Sequence, residues 1–231
     1  MRNWAAGLAI VASCAVAAYV TLAPRGAMPP QDIPLPERPL PAARLQIVAL
    51  GTSLTKNGVW PEGVADRLSR CLGVAVGVDR VAGVGANSDW GLGQVTEVAA
   101  LKPDLALVEF AVNDADLLDG TSLGRSRQNL RGIIAALREA RPGIAIALTA
   151  TNPAHGPRGW LRPFLRRYSE TLRVTAVAEG VGFFDGRARW QNDLRSGDIP
   201  DGLHPASAAE DRVIAPALAT YLARSFGRDC R

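Results

Sequence analysis

"LQIVALGTSLTKNGVWPEG", residues 45–63, begins as a largely apolar run, breaks at Gly51 and leaves Ser53 beside the break. A short run of this kind without strict polar alternation reads as a strand buried on both faces, which is how parallel sheets are built. Ser53 itself is open to three readings: a turn residue, the cap of a following helix, or a nucleophile held at a sheet edge. The rest of the chain has to supply what a serine needs to react.

Working outward, the same alternation of strand and helix signals repeats. Apolar strands are expected at Leu45–Leu50, Val74–Val81, Leu105–Phe110, Ile144–Leu148 and Val181–Phe184. Helices are expected at Trp60–Leu72, near Trp90–Ala100, at about Ser126–Ala140, about Pro163–Glu179 and about Ala206–Phe226. Their apolar residues recur at helical spacing, as with Val64, Leu68, Cys71 and Leu72, or Leu130, Ile133, Ile134 and Leu137. The pattern predicts an α/β domain over residues 45–231. Its form is a flavodoxin-like three-layer sandwich, with a five-stranded parallel sheet in the order 2-1-3-4-5 and helices on both faces. Any site belongs at the carboxyl ends of the strands, where Ser53 falls.

Ahead of that domain the chain changes character. Residues 3–23 carry no charge and are mostly apolar, about the ~20 residues that cross a hydrocarbon core, and arginines flank them at positions 2 and 25. They read as an uncleaved anchor (residues 4–23) or as a signal peptide with a small-residue site at Ala15-Val16-Ala17; "VASC" ending at Cys14 also resembles a lipidation box. Each reading sends the domain to the cell envelope, periplasmic or secreted. Residues 24–44 hold seven prolines and are expected to form an extended linker that holds the domain off a membrane. Beyond Cys14 the chain has Cys71 and Cys230, which either pair in an oxidising compartment or leave Cys71 as a small buried hydrophobe.

Composition excludes other classes. The chain has 231 residues, 48% hydrophobic and 21% charged, which suits a folded domain. The net charge of +4 owes much to Arg2, Arg25, Arg38 and Arg44, and no clustered basic face of the kind nucleic acid requires is visible. "GVGANS" lacks the third glycine of a dinucleotide fingerprint, and no His/Cys spacing suits zinc, so neither cofactor nor metal is expected. Ser53 also lacks the glycine two places on that a Gly-x-Ser-x-Gly elbow would have.

A serine hydroxyl becomes nucleophilic when a base takes its proton, and the base needs a partner to fix its tautomer. The chain has two histidines. His155 has no carboxylate near it in sequence, whereas His204 has Asp201 three residues earlier in "DGLHP". That pair is equally compatible with a turn followed by a helix cap.

"GTS" after the first strand, "AGVGANS" after the second, "AVND" after the third and "DGLHP" before the last helix together resemble the SGNH hydrolases, also called the GDSL family. The motifs occur in that family's order and span nearly all of the domain. The resemblance implies Ser53 as nucleophile, His204 as general base and Asp201 as its orienting partner. It also implies an oxyanion hole of the Ser53 and Gly85 backbone N–H groups and the Asn113 amide. Two departures stand out: Thr52 where the family has aspartate, and Ala111 where it has glycine. His155 and Trp160, in the loop after the fourth strand, are expected at the substrate rim. The implied activity is metal-independent hydrolysis of small acyl esters, acetyl foremost, on small molecules or an envelope or extracellular polysaccharide. Acyl transfer by the same residues and a non-catalytic glycan-binding domain are the alternatives.

Overall fold

The computed structural model describes residues 27–230. The expected anchor or signal, residues 1–23, lies outside them. Among the described residues no helix is long and apolar enough to cross a membrane.

Strand β1 (Arg44–Gly51) pairs in parallel with β2 (Ala75–Ala82) on one side and β3 (Leu105–Glu109) on the other. Strands β4 (Ala145–Ala150) and β5 (Gly182–Asp185) extend the sheet, giving the expected order 2-1-3-4-5. Because successive residues of a strand face opposite ways, β1 feeds two cores. Leu45 and Ile47 join Val64, Leu68, Leu218 and Leu222 on one face. Val48 and Leu50 join Leu130, Ile133, Ile134 and Leu172 on the other. Each such side chain removed from water contributes roughly 1.5–3 kcal/mol, and the two cores together clamp the sheet.

The helices are, in chain order, α1 (Ser53–Asn57), α2 (Trp60–Leu72), α3 (Ser88–Gly93), α4 (Val95–Ala100) and α5 (Ala111–Asp114). There follow α6 (Leu123–Ala140), α7 (Gly156–Trp160), α8 (Leu165–Glu179), α9 (Gly186–Asp193), α10 (Ser207–Val213) and α11 (Ala215–Arg224). The long helices begin and end where the sequence has punctuation. Ser122 caps α6 by accepting from the Arg125 N–H, and α2 and α8 end at Gly73 and Gly180, both at positive φ. Two expected helices are broken. The segment before β3 divides at Gln94, and the last helix divides at Ile214, ahead of Pro216, whose ring nitrogen has no hydrogen to continue the ladder.

The proline-rich stretch is extended, as its prolines require, but it is laid against the domain. Ile33 exchanges backbone bonds with Phe183 of β5, Leu35 is buried, and Arg38 donates to the carbonyl of Asp104 (2.8 Å). Alternating Pro and apolar residues make this possible: the prolines hold the chain extended while Ile33 and Leu35 pack. Cys71 and Cys230 form a disulfide that joins the end of α2 to the chain terminus across 159 residues. Cross-links over loops of that length stabilise a domain by about 2–5 kcal/mol.

Candidate active site

The turn between β1 and α1 answers the question Ser53 raises. Thr52, not Ser53, is the cap: its hydroxyl accepts from the Leu54 N–H and donates to Glu109 Oε1 (2.7 Å). The Thr52 N–H (2.6 Å) and the Thr55 hydroxyl (2.8 Å) donate to the same oxygen. Gly51 leaves room for that carboxylate, since a methyl group there would lie 2.5 Å from it. Ser53 becomes the first residue of α1, buried, with its backbone N–H free of any acceptor among the described residues. Where the family carries an aspartate at position 52, this chain brings a carboxylate to the same turn from β3.

His204 arrives from the loop between α9 and α10. Asp201 folds that loop upon itself, one carboxylate oxygen accepting from the backbone N–H groups of Leu203 (2.9 Å) and His204 (2.7 Å). Its other oxygen lies 2.7 Å from His204 Nδ1, and His204 Nε2 lies 2.9 Å from Ser53 Oγ. With Nδ1–H donated to the carboxylate, Nε2 is the acceptor that faces the hydroxyl. Burial acts to raise the Asp201 carboxyl, but the His204 ring and the two backbone donors outweigh it and hold the group well below the usual carboxylate range.

The loop is fastened from outside as well. Asn152 donates to the carbonyl of Leu203 (2.7 Å), and the His155 N–H donates to that of Gly202 (2.9 Å). Gly202 has φ +80°, and a side chain there would run into the His155 carbonyl at 2.4 Å. Arg212 closes on Asp198 (2.6 Å), whose carbonyl accepts from Ala206.

Gly85 and Asn113 follow β2 and β3, the two strands that flank β1. Residues 83–86 form a tight turn in which Gly85 takes φ +72°, a conformation a side chain resists. The Asn113 amide donates to the Ala86 carbonyl (2.8 Å), which ties β3 to this turn. The Gly83 N–H is engaged by Gly51 (3.2 Å), whereas that of Gly85 has no acceptor among the described residues. Asp114 anchors the arrangement from below, accepting from the Ser88 N–H (2.7 Å) and the Ser126 hydroxyl (2.6 Å).

His155 and Trp160 lie at the two ends of α7, outside the hydrogen-bonded chain. His155 acts through its backbone, and the Trp160 side chain is 77% exposed. Sequence reasoning missed Arg158, whose Nε lies 3.4 Å from Asp201 Oδ2, and Arg162, which donates to the Val112 carbonyl (2.7 Å) and pairs with Asp116 (2.6 Å). It also missed Glu109, although a carboxylate inside an otherwise apolar strand was a visible signal.

Glu109 and Glu210 line one cavity of about 40 Å³ beneath the turn, with Leu54, Trp60, Trp190 and Pro205. Burial pushes both carboxyls up to about 7, against the hydrogen bonds that each accepts. The unfolded chain gives up these protons at lower pH, so their contribution to stability is full below about pH 4.5 and is lost as pH rises through 7. Glu109→Gln, which cannot ionise, is therefore expected to unfold at higher urea than wild type at pH 8, by about 2–3 kcal/mol, with no gain at pH 4.5. Parallel pH dependences for the two proteins would contradict this.

The pattern of the GDSL-like Lipase/Acylhydrolase family matches residues 49–212. No curated protein matches the sequence. Among solved structures, the lipase/acylhydrolase from Enterococcus faecalis superposes with a TM-score of 0.67 at 20% identity, covering 81% of this chain and 98% of that one. TesA gives 0.64 at 21% identity, covering 78% and 99%. Axe2, an acetylxylan esterase from Geobacillus stearothermophilus, gives 0.63 at 18% identity, covering 84% and 97%. With the five-stranded order, the motifs in sequence and the matched span in agreement, the chain belongs to the GDSL-like lipase/acylhydrolase family of ester-hydrolysing enzymes.

Proposed function

We propose that this protein is a serine esterase that hydrolyses small acyl esters, acetyl foremost, through an acyl-enzyme on Ser53. The observation that carries the reading is the unbroken hydrogen-bonded chain from Ser53 Oγ through both nitrogens of His204 to Asp201. In the first half-reaction Ser53 Oγ attacks the ester carbonyl and its proton passes to His204 Nε2. The imidazolium that forms is stabilised by the Asp201 carboxylate. The carbonyl oxygen, now negative, is received by the N–H groups of Ser53 and Gly85 and the side-chain amide of Asn113. Collapse expels the alcohol, which takes the proton from Nε2. Water then enters and attacks the acyl carbonyl as the same nitrogen takes its proton; collapse breaks the acyl–Oγ bond, Oγ takes that proton back from Nε2, and the acid leaves.

We place the enzyme at the cell envelope, held there by the apolar segment at residues 3–23 and compatible with an oxidising compartment through its disulfide. The proposed substrate is an acetylated envelope or extracellular polysaccharide. The fold it shares with an acetylxylan esterase supports this. If a sugar hydroxyl replaces water in the second half-reaction, the same residues perform transfer. Incubation with p-nitrophenyl acetate and a xylo-oligosaccharide separates these outcomes: free acetate as the sole acyl product is expected. Acetylated oligosaccharide as the main product would make the protein a transferase, and no turnover would refute both.

A further inference from the structure

The point where the chain enters the domain has a consequence for its surroundings. Ile33 runs antiparallel to β5, so the residues before it climb toward the carboxyl end of that strand. The Gln31 N–H donates to Asp185 (3.1 Å), and Met28 exchanges hydrogen bonds with the side chain of Asn192 (2.9 Å each). Met28 and Pro29 line one groove with Arg166, at the start of α8. The entry point is thus at the end of the sheet that holds Ser53 and His204, not the opposite end. Between Ala23, which closes the apolar run, and Met28 lie four residues. Their reach is at most about 18 Å. The proline-rich stretch beyond them is fastened to the domain and adds no stand-off.

The same end of the molecule carries the exposed apolar side chains that soluble surfaces seldom gather in one place. Leu117 (58%) and Leu118 (74%) follow β3, and Trp160 (77%) and Phe164 (47%) follow β4. The two loops are joined by the Leu117 N–H donating to the Leu161 carbonyl (2.9 Å) and by Arg162 pairing with Asp116. Beside them stand Arg166 and Arg167, the latter stacked on the Phe164 ring. Of the nearby acids, Asp116 and Glu170 are already paired, with Arg162 and Arg173, and the exposed Asp119 beside Leu118 sets one carboxylate against Arg166 and Arg167. Exposed leucine and aromatic tips flanked by arginine match an anionic lipid surface, where apolar tips enter the headgroup layer and guanidinium groups meet phosphate.

We infer that the Leu117–Leu118 and Trp160–Phe164 loops seat the domain on an anionic bilayer, mouth toward the membrane. The entry point bears on orientation through the membrane-anchor reading of residues 3–23, and the esterase reading enters only in naming this end as the mouth; the apolar loops stand apart from both. An ester at the membrane surface, envelope glycan included, then reaches Ser53 laterally.

The test uses the full chain with Cys14→Ser, in phosphatidylcholine vesicles containing phosphatidylglycerol and a lipid spin-labelled on its acyl chain. A nitrobenzoxadiazole probe is attached at Leu118→Cys or, as a control, at Glu139→Cys, exposed near the end of α6 at the opposite end of the sheet. The probe at 118 is expected to lose more than half its emission to the spin label, and the probe at 139 almost none. Arg166→Glu combined with Arg167→Glu should restore most of the emission at 118. Equal quenching at the two positions, or none at 118, overturns the proposal, and so does quenching untouched by the charge reversal. A probe at 118 that answers to soluble acetylated xylan and not to vesicles would assign the loops to glycan. Turnover of a water-soluble ester is not the readout, so this proposal and the esterase reading fail separately.

Discussion

Ser53→Ala and His204→Ala each lower kcat on a water-soluble acetyl ester by roughly 10⁴-fold or more, and the double variant is scarcely worse than either. On the proposed mechanism the first removes the attacking oxygen and the second the group 2.9 Å away that takes its proton. Neither half works alone: a serine hydroxyl without a base stays protonated, and a base without the hydroxyl has nothing to activate. That is why the losses do not add. Ser53→Ala deletes one oxygen from a position whose turn is held by Thr52 and Glu109, so its far-ultraviolet circular dichroism and unfolding midpoint should stay near wild type. A loss of less than tenfold in Ser53→Ala, measured as kcat on p-nitrophenyl acetate, would exclude Ser53 as the nucleophile.

Asn113→Ala carries the next largest effect, a fall in kcat of about 10²–10³ with KM little changed. The amide is fixed by its bond to the Ala86 carbonyl, so on the proposed mechanism its second N–H meets the oxyanion without reorganisation. A donor of this kind acts on charge that develops in the transition state and not on the neutral ester, which is why the loss should appear in kcat. Asn113→Asp makes the sharper comparison. It keeps the shape and places a negative charge where the oxyanion forms, so it should be slower than Asn113→Ala. Were the side chain only a brace for the Ala86 turn, Asn113→Asp would not be the slower of the two, and both losses would track a fall in unfolding free energy.

Much of this was legible because the signals were local and of the right period. Uninterrupted apolar strands such as Leu105–Val108 announce burial on both faces, and five strand signals between helices leave few topologies. With two histidines in the chain, the search for a base was short, and Asp201 three residues before His204 lies within one turn of it. What escaped was non-local or too brief to have a period. The helices of four or five residues, α1, α5 and α7, cannot show a helical repeat. Glu109 contacts Thr52 and Thr55 across 57 and 54 residues, and only its presence in an apolar strand hinted at a task. The proline-rich stretch looked like a free spacer because prolines exclude regular structure; Ile33 and Leu35 between them were the sign that it packs. Pro216 announced the break at Ile214 and was overridden by the apolar stripe that runs through it.

On the proposed mechanism a hydroxyl, an imidazole and a carboxylate brought together from distant parts of the chain act as one reactive unit. The most direct test of this is labelling with a fluorophosphonate, followed by mass spectrometry of the peptide that contains Ser53. One adduct per chain is expected, on Ser53, formed at a rate that falls with the activity in His204→Ala. A catalytically active preparation that takes the adduct elsewhere, or labels Ser53 as fast without His204 as with it, would contradict it.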